Sequence, residues 1–313
     1  LATILPTMAL SSPFRYFTRR QWAALHPDTP LPLTDQDIAS LTGLCDRLSM
    51  DEVARMYLPL SKLMELRFEA SQELLRAQNA FLNRENDRTP FVIAVSGSVA
   101  AGKSTFSRTL QALLSRWPTR PNVALITTDG FLSPNAVLEE KGLMRRKGFP
   151  ESYDLPRLLG FLHAVKSGED VIEAPVYSHL SYDIVPDKYQ VVKQPDILIF
   201  EGLNVLQAPP RASVLASDYF DFSIFLDAGK EDLEDWYIQR FLALQQTAFQ
   251  NPSSYFYRYR TLAHDEAIQT AQSIWREINL PNLTENIQPT RQRADLILYK
   301  GHDHEIEEVW LRR

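Results

Sequence analysis

Residues 91–110 read Phe-Val-Ile-Ala-Val-Ser-Gly-Ser-Val-Ala-Ala-Gly-Lys-Ser-Thr-Phe-Ser-Arg-Thr-Leu, and few stretches restrict a fold so tightly. Gly97 and Gly102 are followed by Lys103 and Ser104 at the spacing of a phosphate-binding loop. Glycines let the backbone curl until its N–H groups meet phosphate oxygens with no Cβ in the way. The lysine adds a point charge for β- and γ-phosphates, and the Ser104 hydroxyl is of the type that ligates Mg²⁺. Residues 91–95 are apolar and β-branched like a buried parallel strand, and residues 105–117 carry a helical pattern. Strand, loop and helix in this order predict an α/β fold with a mostly parallel central sheet flanked by helices. They also predict ATP against Gly97, Ser98, Val99, Ala100, Ala101, Gly102, Lys103, Ser104 and Thr105.

The rest of the composition narrows the class. The 313 residues are 44% hydrophobic, and a formal net charge of -6 argues against a nucleic-acid-binding surface. No run of eighteen apolar residues exists to span a membrane. The first ten residues are apolar, but Pro6 interrupts them and nothing basic precedes them, so a signal peptide is not expected. Met8, rather than Leu1, is the expected natural start, with residues 1–7 outside it. Cys45 is the single cysteine, which suits a reducing cytosol and reads as a small buried apolar residue.

A single kinase-type domain is expected over 1–313, with an irregular arm over 1–33 and a helical extension over 34–88 packed on the core. Thr34-Asp-Gln-Asp37 opens a capping-box-like helix start, with Leu41, Leu44 and Leu48 at helical spacing, and Ser49 opens another. Apolar residues then recur at three and four from Val53 to about Leu82, and Pro59 is expected to bend or split that helix.

After the loop, residues 122–127 read as a strand neighbouring the phosphate loop and running into Asp129-Gly130. A carboxylate there can take the proton of a substrate hydroxyl or touch Mg²⁺, although Asp-Gly is also a common turn. Lys141, Arg145, Arg146 and Lys147 form either a solvated surface or a mobile basic flap. Residues 155–166 read as a helix and 175–192 as a hairpin, whose Tyr177, His179 and Tyr182 either pack or face a small hydrophilic substrate. The strand 195–202 ends in Glu201, the pattern of a carboxylate that holds Mg²⁺. A further strand is expected over 220–226. Arg240, on a helix over 232–248, either faces the transferring phosphoryl group or makes a surface salt bridge. A helix over 266–278, a turn-rich stretch over 279–289, a strand over 294–299 and a last segment over 304–311 that pairs with something at the edge complete the chain.

The loop, together with Thr127-Thr-Asp-Gly-Phe131, Lys147-Gly-Phe-Pro-Glu-Ser-Tyr153, Pro175-Val-Tyr-Ser-His179, Glu201-Gly-Leu-Asn-Val-Leu206 and Asn286-Ile-Gln-Pro-Thr-Arg291, resembles the bacterial type I pantothenate kinases from about residue 14 to 313. The resemblance implies ATP-dependent phosphorylation of pantothenate to 4′-phosphopantothenate, the first committed step of coenzyme A synthesis. It also implies a cytoplasmic homodimer with the long helix after the loop at its interface, and feedback inhibition by coenzyme A competing with ATP. By position, Asp129 matches the base, Arg240 the charge-stabilising arginine, and Tyr177, His179, Tyr237 and Asn279 the pantothenate contacts. Arg108 and His179 match contacts to coenzyme A phosphates, Phe241 and Phe256 its pantetheine pocket, and His304 a place by the adenine. Leu244 and Gln245 depart from an aromatic and an arginine in other members, which bears on the strength of that inhibition. The nearest alternative is a related kinase of the uridine kinase or phosphoribulokinase type. No Asn-Lys-x-Asp guanine motif supports a nucleotide-switched regulator.

Overall fold

The apolar runs of the chain become strands sealed on both faces. In the computed structural model, which describes residues 12–25, 31–84, 88–209 and 212–313, nine strands are seen: β1 (Phe14–Thr18), β2 (Phe91–Gly97), β3 (Val123–Thr127), β4 (Val171–Ser178), β5 (Asp183–Lys193), β6 (Ile197–Glu201), β7 (Phe222–Ala228), β8 (Leu296–Lys300) and β9 (Ile306–Arg312). Seven form one sheet in the order β1-β9-β8-β7-β2-β6-β3, and β4 and β5 form a separate antiparallel hairpin. The pairs from β8 across to β3 are parallel, while β9 and β1 run antiparallel. Every residue of β2 and β6 is buried, as expected where helices cover both faces of a parallel sheet. Aspartates tie the strand entrances: Asp221 accepts the Val92 N–H at 2.7 Å, and Asp295 accepts the Ser223 N–H at 2.9 Å.

In the sheet β6 lies between the loop strand β2 and β3. Register nevertheless brings their ends level. Val95 pairs with Glu201, and Glu201 with Thr127, so three parallel strands finish side by side.

The expected irregular arm is corrected. Residues 1–11 and 26–30 lie outside the described residues, but β1 is the antiparallel edge strand on β9, and the helix Arg19–Ala23 follows it. Thr18 caps that helix in a reciprocal box with Gln21. Trp22 is 1% exposed and donates its indole N–H to the Met56 carbonyl at 3.0 Å. Glu52, also buried, accepts from Arg19 and from the Ile306 N–H. Phe14 and Trp22 are therefore part of the core.

The Thr34 start forms as read, but its helix ends at Leu41, and Leu44 and Leu48 follow in non-helical chain. Pro59 stands in the first turn of the long helix Leu58–Phe81, directly after a π-turn over Val53–Tyr57. Proline lacks the N–H for an i−4 bond and crowds that carbonyl, and the wider turn removes the conflict. The device recurs. Pro281 follows the π-turn Trp275–Asn279 and Pro289 follows Leu283–Ile287, so the expected turn-rich stretch 279–289 is helical. The last strand β9 pairs with β8 and, as expected, with a strand at the edge of the sheet, β1.

The helix after the loop is Lys103–Leu114, only twelve residues long and with eight of them buried. The long helix precedes the loop instead and leaves Leu66, Leu74 and Phe81 exposed. Among the described residues no helix is long and apolar enough to cross a membrane. Trp22→Ala is expected to cost about 3–5 kcal/mol in urea unfolding, whereas a loosely draped arm would give a change near zero.

Candidate active site

The phosphate loop departs from β2 where only glycine serves. Gly97 has φ +148°, and a Cβ there would lie 2.6 Å from the Leu226 carbonyl oxygen. Gly102 has φ +82° and caps the helix Lys103–Leu114, whose first N–H groups face out of the loop. Lys103 is 9% exposed and donates from Nζ to the Ser98 carbonyl at 2.7 Å. Burial pulls its pKa down, and the nearby Glu201 and Asp129 carboxylates oppose that shift.

Ser104 and Glu201, the two residues assigned to metal, are brought together by the β2–β6 register. The Ser104 hydroxyl donates to Glu201 Oε1 at 2.9 Å. The second carboxylate oxygen is buried without a hydrogen-bond partner, as are Ser98 Oγ and Thr128 Oγ1. Burial pushes the Glu201 pKa up, against Lys103 and the Ser104 hydrogen bond. An anion bound without a partner is costly, and a cation beside Ser104 and Glu201 would relieve it.

Asp129 lies just beyond β3, with its side chain 31% exposed, and Oδ2 is 3.9 Å from His179 Nε2. Gly130 is required beside it, since a Cβ would meet the Pro175 carbonyl at 2.1 Å. The hairpin thereby packs against this turn. Tyr177 lies edge-on to His179 at 5.2 Å and to Tyr182 at 6.2 Å. Tyr237 is raised to about 12, chiefly by burial, and its hydroxyl is met by Asn279, whose Nδ2 is buried without a partner. Arg240 is exposed on the helix Lys230–Gln246, and its charge reaches Lys103 and Tyr237.

The remaining predicted residues divide between two places. Phe241 and Phe256 join Phe249 and Tyr259 in a separate apolar cluster, and Phe256 also touches Tyr182 at 4.9 Å. Arg108 turns back along its helix to the Leu41 carbonyl at 2.9 Å and to Thr105. His304 is buried and stacked on Trp236 at 4.1 Å, with its pKa lowered to about 4 by burial and by Lys300. Gln245 is spent internally, donating to the Tyr259 and Leu262 carbonyls at 3.1 and 2.9 Å.

Sequence reasoning missed Lys300 and left Lys147 open. Lys300 Nζ donates to the Ala101 carbonyl at 3.3 Å, which places a second buried ammonium behind the loop. Its signal is a lone lysine at the end of an apolar strand. Lys147 turns inward: Nζ donates to Asn135 Oδ1 and the Tyr182 carbonyl, both at 2.5 Å, and lies 4.2 Å from the Tyr182 ring centroid. Burial lowers it to about 8, with Asp183 and Asp129 opposing. Its flap neighbours Arg145 and Arg146 instead pair outward with Glu277 and Glu151.

Comparison with known proteins agrees with this geometry. Residues 92–243 match the phosphoribulokinase/uridine kinase family. A pantothenate kinase of Parvibaculum lavamentivorans is 56% identical over 307 residues, covering 96% of this chain and 94% of that protein. One from Sorangium cellulosum is 57% identical over 301 residues, covering 96% and 98%. A solved structure of a kinase ascribed to a fructose transport system, from Silicibacter sp. TM1040, is 27% identical and covers 68% of this chain and 91% of that one, with a TM-score of 0.55. Removing the loop ammonium in Lys103→Met is expected to weaken nucleoside triphosphate binding about 10- to 100-fold by calorimetry, and unchanged affinity would contradict its phosphate role.

Proposed function

The chain belongs to the pantothenate kinase family of enzymes, and on that premise we propose that it transfers the γ-phosphoryl group of ATP to the hydroxyl of pantothenate. The product is 4′-phosphopantothenate, at the first committed step of coenzyme A synthesis in the cytoplasm. The observation that carries this reading is the meeting of Lys103, Ser104–Glu201 and Asp129 at three level strand ends.

Phosphoryl transfer needs little covalent help from protein, only alignment of two reactants and neutralisation of spreading charge. The N–H groups of residues 97–105 and the Lys103 ammonium hold the β- and γ-phosphates. Ser104 and Glu201 would hold Mg²⁺, which when bound neutralises charge on the phosphate oxygens. Phosphate oxygens and water would supply its other ligands. Asp129 takes the hydroxyl proton as the acceptor oxygen bonds to phosphorus and the bond to ADP breaks. Arg240 offsets the charge that develops. Tyr177, His179, Tyr237 and Asn279 hold pantothenate, and Lys147 adds positive charge on the acceptor side.

His304 with Trp236 offers a flat surface for the adenine. Coenzyme A inhibits in competition with ATP, its phosphates meeting Arg108 and His179 and its pantetheine arm lying by Phe241 and Phe256. The adjacency of Phe256 and Tyr182 supports this, and the internal bonds of Gln245 favour weaker inhibition. Calorimetry showing no competition between coenzyme A and ATP would remove that part. The protein is a homodimer through the exposed stripe Leu66, Leu74 and Phe81 of the helix Leu58–Phe81, and sedimentation as single chains would contradict it.

ADP release is expected with pantothenate and not with uridine or ribulose 5-phosphate, and the reverse would favour a related kinase. Asp129→Asn is expected to keep ATP binding and lose about 10²- to 10⁴-fold in turnover. Near-normal turnover would remove the base. Lys147, lowered to about 8, is charged below that pH and neutral above it. The kcat/KM for pantothenate should therefore fall as pH rises through about 8, and Lys147→Met should flatten that limb.

A further inference from the structure

The Gly148 carbonyl is held by two amides from distant parts of the chain. Asn204, in the loop after β6, donates Nδ2 to it at 2.7 Å, and Asn282, in the C-terminal helical run, donates Nδ2 at 2.9 Å. Gly148 has φ +89°, so the turn that presents this carbonyl needs a glycine. Asn282 is buried and oriented in turn, since its Oδ1 accepts from Asn286 Nδ2 at 3.0 Å. Gln207 donates to the Asn286 carbonyl and so returns the chain of bonds to the β6 loop. Asn204 also lies beside the hydroxyl of the fully enclosed Tyr153, which neighbours Thr128 and Asp129. Lys147 is the residue immediately before the clamped carbonyl, and its ammonium hangs between Asn135 and the Tyr182 carbonyl.

A long lysine has many rotamers, and its ammonium stays put only where its own peptide is fixed. We infer that Asn204 and Asn282 are positioning residues, whose joint grip on the Gly148 carbonyl sets the Lys147 ammonium beside Tyr177 and Tyr182 and opposite Asp129. Both amides donate to a single acceptor, so losing either leaves a buried partner short and frees the loop. The clamp also joins the loop after the metal-side strand to the segment carrying Asn279, so that phosphate side and acceptor side share one hub. The expected effect on pantothenate rests on the function proposed above.

The test uses Asn204→Leu and Asn282→Leu, each close to asparagine in size, together with Lys147→Met and the two double variants. Each leucine variant is expected to raise the KM for pantothenate about tenfold, the size of one lost buried hydrogen bond, with the KM for ATP unchanged. On the Lys147→Met background the same replacements should add little. Hydrogen exchange over residues 144–149 should quicken in both leucine variants and stay unchanged over residues 97–105. Because the two amides sit on different segments, a variant that fails to fold leaves the other to decide. Losses that simply multiply with Lys147→Met, or that fall equally on ATP, would overturn the inference. So would unaltered exchange over 144–149. A wild-type protein inactive on pantothenate would count against the proposed substrate, while the exchange measurement still decides the clamp.

Discussion

Three parallel strands finishing level is the constraint on which the rest of this protein depends. The pairs Val95–Glu201 and Glu201–Thr127 bring the loop after β2, the carboxylate of β6 and the turn after β3 to one edge. A parallel sheet sends all its carboxyl ends the same way, so the crevice outside them collects residues far apart in the chain. A slip of one residue in β6 would turn Glu201 to the other face and away from Ser104. The backbone pairing thus does in advance the aligning that a bimolecular reaction would otherwise have to do.

That edge carries a cost in stability. Lys103 and Glu201 are both buried, and burial disfavours the charged form of each, though each partly supports the other. Ser98 Oγ, Thr128 Oγ1, Tyr153 Oη and one oxygen of Glu201 are buried with no partner. Such groups cluster where a polar ligand completes them, and the tightly sealed sheet beneath supplies the stability that offsets them. The aromatic wall across the cleft acts differently. Burial raises Tyr177 and Tyr182 and keeps their hydroxyls neutral, and the Lys147 ammonium lies beside both rings.

Much of this was legible in the residues. The helix over 155–166 forms as read, and the strands at 91, 123, 197, 222 and 296 follow the apolar runs within two residues or so. The pairing of Ser104 with Glu201 was legible because both members lie in local motifs. What failed was non-local. Strand order is not written in any one strand, and the place of β6 between β2 and β3 shows only in the fold. β1 was hidden because Arg15 and Tyr16 of an edge strand face solvent and blur its alternation. Residues 279–289 looked like turns because Asn and Pro favour them, and only the π-turns show how Pro281 and Pro289 are carried. Lys147 was lost among neighbouring cations. Only packing separates the arginines that pair outward from the lysine that turns in.

The central claim is that this strand edge hands a phosphoryl group to an alcohol rather than to water. Phosphorus NMR of the protein with ATP, Mg²⁺ and pantothenate tests it directly. The account predicts one new phosphomonoester signal growing in step with ADP, and almost no inorganic phosphate when pantothenate is left out. Release of inorganic phosphate at the same rate with and without the acceptor, and no phosphomonoester, would contradict it.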